Sequence, residues 1–262
     1  MHTTNHLISR KNRGGALECP YSSGFHHQNP GTHELRKWMV TLWIVATVFF
    51  PQAAHPDTPL PTSSAQFVSN LVIGASQARQ WYKGFESVVK NDQWELLWRW
   101  NSGVRQWAND NYSGWNQPPH SPTAVRSGDP DRVVFVMSCD MAEDADVATC
   151  GEQIRKAIDT IRRKYLNVKQ IVLQPSVGGP NGDICLRSAG HVTVMASEIN
   201  SVTISAINSI VDADRSGAVV AGPMPHVRRC RDYSDEIGHF GPTVARQIGR
   251  MIGKYYTNLD SM

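Results

Sequence analysis

Between residues 66 and 256 the chain alternates short β-rich runs with stretches of helical spacing, and this alternation restricts its fold more than any other feature. The clearest run is 132–138, apolar from Val133 to Met137 and preceded by a Gly-Asp-Pro-Asp turn, as suits a strand buried on both faces. Runs at 67–73, 94–100, 168–173 and 218–221 bring the strands to five. Helical spacing covers 77–90, 152–165, 197–211 and 242–256; in the second, Ile154, Ala157, Ile158 and Ile161 fall on one face. Such an order predicts a parallel sheet with helices on both sides, in one α/β domain spanning 66–258.

The rest of the chain is organised differently. Residues 1–37 are polar, without helical or strand period, and are read as a poorly structured N-terminal extension. Arg36 and Lys37 then precede the mostly apolar stretch 38–50, in the order of a secretory signal. That stretch is shorter than the roughly 20 residues of a membrane span. Residues 38–54 are therefore read as a signal peptide or membrane anchor, with 55–65 as a linker, and the protein as secreted or extracytoplasmic. Contact with a membrane is expected only through 38–50, if that segment is retained. A buried helix or strand is the plain alternative for it, and a start at Met39 would remove the charges ahead of it.

Cysteine usage agrees with export. Cys19 lies before the apolar stretch, and Cys139, Cys150, Cys185 and Cys230 follow it, an even number suited to an oxidising compartment. Of the three pairings open to four cysteines, Cys139–Cys150 with Cys185–Cys230 is favoured: one short local loop and one tie between two late loops. Four buried thiols are the alternative. Neither a C-x-x-C pair nor a His-rich spacing occurs after residue 55, so no metal and no cofactor are expected. The formal charge of +3 comes wholly from Arg10, Lys11, Arg13, Arg36 and Lys37 against Glu18 and Glu34. The balanced body that follows excludes nucleic acid as the leading partner.

In a parallel α/β sheet the ligand site lies beyond the carboxyl ends of the strands. The residues to inspect are then Ser76, the Asn101-Ser102-Gly103 turn, Ser138 to Asp140, the loop 178–182 (expected to line the cleft) and His239. Ser76 stands at a strand-to-helix turn behind Gly74 and Ala75. A serine there either caps the helix or presents its hydroxyl beside the free N–H groups of the first turn. A nucleophilic hydroxyl needs a base, and His239 is the histidine with acids at suitable spacing, in Asp235 and Glu236.

At these positions the chain resembles the SGNH (GDSL-like) hydrolase superfamily, over roughly residues 66–256. The resemblance rests on Ile73 to Ser76 at the nucleophile block, Gly103 at the second block, and Asp235 to His239 before the last helix. Residues 172–175, Gly178 to Pro180 and Cys230 to Tyr233 look like a secreted bacterial and plant subgroup. The resemblance implies a three-layer flavodoxin-like fold with a central parallel five-stranded sheet, and ester hydrolysis through a serine acyl-enzyme without a metal. It assigns Ser76 as nucleophile, His239 as base, Asp235 or Glu236 as the orienting acid, and Ser76 and Gly103 as oxyanion donors. The chain also departs from the pattern. Its nucleophile block reads Gly-Ala-Ser-Gln in place of Gly-Asp-Ser-Leu. Asp140 stands where an asparagine would donate to the oxyanion, and an ionised carboxylate cannot donate. Asn181 is expected to face the substrate and supply an amide instead.

Six of the eight tryptophans fall between Trp81 and Trp115. Trp94, Trp98 and Trp100 share a strand face and are expected to form an apolar layer. Trp107 and Trp115 lie in a polar segment and are read as a sugar-binding surface, the alternative being a self-packed loop. Two functions follow. One is a serine esterase that hydrolyses an acyl ester, such as an acetyl, on a small molecule or polysaccharide. The other is a catalytically degenerate glycan-binding protein on the same fold.

Overall fold

The computed structural model describes residues 67–119, 129–139 and 146–259. The segments 1–37, 38–54 and 55–65, and Asp140, lie outside the described residues. In chain order β1 (Asn70–Gly74) leads into α1 (Ser76–Phe85), and β2 (Trp94–Trp98) into the short α2 (Val104–Trp107). β3 (Arg132–Met137) precedes α3 (Val147–Lys164), and β4 (Gln170–Pro175) precedes a hairpin of β5 (Leu186–Arg187) and β6 (Val192–Thr193). The chain continues through α4 (Met195–Glu198), α5 (Asn200–Ala213), β7 (Val219–Ala221) and α6 (Pro242–Leu259).

The five long-range strands pair in parallel in the order β2-β1-β3-β4-β7. Renumbered by strand, this is the flavodoxin-like order 2-1-3-4-5, whose crevice opens at the carboxyl ends of the two strands where the winding reverses. Those strands are β1 and β3. The fold is the three-layer α/β arrangement that the alternation predicts. Successive strand residues point to opposite faces. Leu71, Ile73, Val133 and Phe135 pack against α3 and α5, while Val72, Val134 and Val136 pack against α1 and α6. Both faces are covered, which is why β1 and β3 are apolar almost throughout.

Helix boundaries differ from the spacing-based expectation for local reasons. α3 starts five residues earlier than 152, because the Asp146 side chain accepts the Thr149 N–H at 2.8 Å and caps it. The expected helix 197–211 is split into α4 and α5, and the β5–β6 hairpin was hidden by its two-residue strands. β2 ends at Trp98, two residues short of the expected run. Trp94 is buried as foreseen, but Trp100 is 60% exposed and leaves the apolar layer. Disulfides join Cys139 to Cys150 and Cys185 to Cys230, the favoured pairing. The first fastens the end of β3 to the opening turn of α3. The second fastens the segment after β4 to the loop that leads into α6.

α1 and α6 touch backbone to backbone. A Cβ added to Gly84 would lie 2.3 Å from the Arg246 carbonyl oxygen, and one on Gly249 would lie 2.0 Å from that of Trp81. No side chain fits at either point. In a free helix, Gly249→Ala would stabilise by up to about 1 kcal/mol. Here overpacking reverses the sign, and a loss of about 1–3 kcal/mol is expected in urea unfolding. A stabilised Gly249→Ala variant would refute this contact.

Candidate active site

α1 begins where β1 ends, and the turn between them is tight: a Cβ on Gly74 would lie 2.7 Å from that of Ala78. The N-cap is Ala75, which makes no side-chain capping bond, so Ser76 is the first helical residue and does not serve as the cap. Its hydroxyl, on a residue 7% exposed, lies 2.8 Å from His239 Nε2. His239 Nδ1 lies 2.6 Å from Asp235 Oδ2.

The loop before α6 has a physical reason to hold this shape. Asp235 Oδ1 accepts three successive backbone N–H groups, from Ile237 at 3.1 Å and from Gly238 and His239 at 3.0 Å each. Closing the chain this tightly takes Gly238 to φ +107°, where a side chain is strained, and a Cβ there would also meet Ala196 at 2.4 Å. Gly238, which lies between the acid and the histidine, thus makes the turn that returns the acid to the histidine. Glu236 faces away, accepting the Ser188 hydroxyl at 2.8 Å in an exposed position. Of the two acids, Asp235 is the one beside the imidazole.

Burial works against the Asp235 charge, but the His239 backbone N–H, the imidazole and the Gly238 N–H outweigh it and hold the carboxyl below its ordinary range. An ionised carboxylate only accepts, so the Nδ1 proton faces it and Nε2 is left as an acceptor toward the Ser76 hydroxyl. This arrangement can take a proton from the serine while Asp235 stabilises the imidazolium that results.

Two glutamines on α1 hold the histidine loop in place, and neither was singled out from the sequence. Gln77 donates to the Gly238 carbonyl at 2.8 Å and accepts the Val177 N–H at 2.9 Å. Gln80 accepts the Phe240 N–H at 3.0 Å. The helix that starts with the serine therefore also grips both ends of the histidine segment. Polar side chains one and four residues after a strand-end serine were the available signal. Tyr233 supports the loop from behind, donating to the Val177 carbonyl at 2.9 Å and stacking on Phe240.

A cleft of about 320 Å³ opens over Ser76. Gly103, Asn101, Ser138 and Ser176 line it on the strand side, and Met195, Ala196, Ile199 and Ile237 form an apolar wall. Gly103 is thus brought to the serine, but its N–H already donates to Gln106 Oε1 at 2.9 Å. Three expectations need correction. Asn181 is exposed in a left-handed turn and does not line this cleft, nor does the rest of the loop 178–182; only Ser176 comes from that side. Trp107 and Trp115 are 0% and 9% exposed and pack on each other and on Tyr112 and Tyr165, as part of the core beneath α3. The polar residues around them are the solvent face of a loop packed by its own aromatics, not the rim of a sugar platform. Among the described residues the exposed indole is Trp100, whose ring meets that of His239 edge-on at 5.9 Å.

No family model and no curated protein matches the sequence. Among solved structures the chain is similar to a carbohydrate esterase family 3 protein from Talaromyces cellulolyticus, at 10% identity and TM-score 0.46, covering 74% of this chain and 98% of the other. It is also similar to the C-terminal catalytic domain of peptidoglycan O-acetyltransferase A from Streptococcus pneumoniae, carrying a methylsulfonyl adduct (9% identity, TM-score 0.41, 74% and 94% covered). A third is the salicylyl-acyltransferase SsfX3 from a tetracycline biosynthetic pathway (12% identity, TM-score 0.44, 75% and 56% covered).

The geometry separates the two acids experimentally. Asp235→Asn should slow the labelling of Ser76 by a serine-directed electrophile by about 10²–10⁴-fold, and Glu236→Gln should stay within about twofold of wild type. The Asp235 carboxyl titrates lower when folded than unfolded, so its stabilisation is present above the ordinary carboxylate range and is lost as pH falls through the lowered value. Acid unfolding of Asp235→Asn should lack that component. Equal losses in the two variants would mean that the loop has another arrangement.

Proposed function

We propose that the protein is an SGNH-type serine ester hydrolase that removes an acyl group, such as an acetyl, from a carbohydrate or smaller alcohol. The observation that carries this reading is the continuous relay from Asp235 through His239 to Ser76, at 2.6 and 2.8 Å. In the first half-reaction Ser76 Oγ attacks the ester carbonyl carbon as its proton passes to His239 Nε2. The tetrahedral intermediate collapses, the C–O bond to the alcohol breaks, and the imidazolium returns the proton to the leaving oxygen. Water then attacks the acyl-serine with His239 again as base, which releases the carboxylic acid and restores the serine. The Ser76 N–H, at the start of α1, and the Gly103 N–H are the proposed oxyanion donors. The apolar wall of Met195, Ala196, Ile199 and Ile237 suits the acyl group.

A glycan-binding function on Trp107 and Trp115 has no exposed platform to use, since both are buried. Two disulfides fit an extracytoplasmic setting. Among the described residues no helix is long and apolar enough to cross a membrane.

A fluorophosphonate probe tests nucleophile activation without knowledge of the natural substrate. The full-length wild type should be labelled on Ser76, as located by peptide mass spectrometry, and both Ser76→Ala and His239→Ala should remain unlabelled. Absence of labelling in a folded wild type would sink the esterase reading.

A further inference from the structure

Beyond the histidine lies a second cavity, of about 420 Å³, which the relay does not use. Its volume falls within the roughly 300–1,000 Å³ of small-molecule sites. Arg79, Gln80 and Lys83 from α1, Arg246 from α6, and Trp98 and Trp100 line it, and no carboxylate is among the lining residues. Arg79 and Lys83 stand four residues apart on one helix, a like-charged spacing that destabilises a helix. Arg246 adds a third positive charge from the facing helix. None of the three forms an ion pair with a described residue, and all are exposed. The aromatic side is equally particular. Arg79 lies over the Trp98 ring at 5.4 Å, and Trp98 braces Trp100 edge-on at 5.2 Å, leaving Trp100 60% exposed.

Position gives the cavity its place in the reaction. The alcohol must leave on the Nε2 side of His239, because that nitrogen returns its proton. Trp100 touches the His239 ring, and Gln80 ties the cavity floor to Phe240, the next residue. The cavity therefore adjoins the histidine while sharing no lining residue with the cleft over Ser76.

We propose that this cavity is the subsite for the alcohol portion of the ester, and that it takes a sugar ring carrying an anionic group, a carboxylate or a phosphate. The ring face stacks on Trp100, and the anion meets Arg79, Lys83 and Arg246. Guanidinium groups match either anion through paired N–H donors. The role as leaving-group subsite rests on the esterase reading, whereas the binding preference does not.

The test uses the full chain with Ser76→Ala, titrated calorimetrically with a galacturonate trisaccharide, with glucose 6-phosphate and with neutral maltotriose. At least one anionic sugar should bind about tenfold or more tightly than the neutral one, more weakly as salt rises, and the two anionic arms show which group is preferred. Adding R79Q and R246Q should remove about tenfold of that affinity, whereas R79K with R246K should keep most of it. In the active enzyme the same R79Q/R246Q pair should lower the ratio of kcat/KM for acetylated acidic over acetylated neutral oligosaccharides by a similar factor. Equal binding of neutral and anionic sugars, or a preference untouched by R79Q/R246Q, would overturn the subsite. Anion-selective binding by a protein that hydrolyses no ester would leave the binding site standing and remove the esterase. Hydrolysis of small esters without anionic preference would do the reverse.

Discussion

The contact of α1 with α6 through Gly84 and Gly249 is the constraint on which the site depends. Ser76 opens α1, and His239 stands three residues before α6, so the distance between these helices sets the distance between hydroxyl and imidazole. Ordinary helix packing separates axes by about 8–10 Å according to the side chains at the contact. Here glycines remove the side chains, and the backbones of Trp81 and Arg246 occupy their place. Gln77 and Gln80 then complete at the loop what the glycines begin in the helices, since each bonds a backbone group flanking His239. A 2.8 Å approach between residues 163 apart in sequence is in this way determined by rigid elements, as a preorganised site requires.

The surroundings of the Ser76–His239 pair fall into two unlike halves. On one side the cleft wall is methionine, alanine and isoleucine, and on the other the histidine abuts an indole backed by three cations. An ester has the same division, with an apolar acyl group joined to a polar alcohol. The residues that create the asymmetry come from different parts of the chain. α4 and the turn at Ile237 supply the apolar wall; α1, α6 and the end of β2 supply the cationic one. Ser76 lines the first half and His239 touches the second through Trp100, beside the strand end where the sheet's winding reverses.

What the sequence discloses, and what it hides, follows from the range of the interactions involved. The sheet was legible because strands buried on both faces must be apolar, and Val133 to Met137 satisfy this with no competing pattern. Ser76, His239 and Asp235 were legible through position, at a strand end and before the last helix. The choice between Asp235 and Glu236 was not, because it turns on the positive φ of Gly238, which spacing alone does not reveal. Trp107 and Trp115 misled because a polar loop carries its hydrophobic anchors inside it, and composition does not distinguish the inner from the outer face. Trp100 was placed in a buried layer because period-two alternation was extended beyond Trp98, where the strand stops. Gln77 and Gln80 act on partners about 160 residues away, and no local pattern marks such a bond.

One departure from the resembled family, Ala75, bears on a proposed oxyanion donor, and Gly103, which matches that family, bears on the other. An aspartate at position 75 would be a strong N-cap and would accept first-turn N–H groups of α1. Ala75 makes no such bond, at a cost of about 1 kcal/mol in helix stability, and provides no side-chain acceptor for those donors. Gly103 presents the opposite case, with its N–H engaged by the neutral Gln106 amide oxygen. A substrate carbonyl is also a neutral acceptor and gains little by displacing it. An oxyanion gains more, because charge-assisted hydrogen bonds are about twice as strong as neutral ones. In the proposed reaction Gly103 is therefore drawn from Gln106 only as negative charge develops. On the proposed mechanism, the contact that closes this donor at rest favours its use in the transition state over the ground state, which is the condition for a binding interaction to raise kcat.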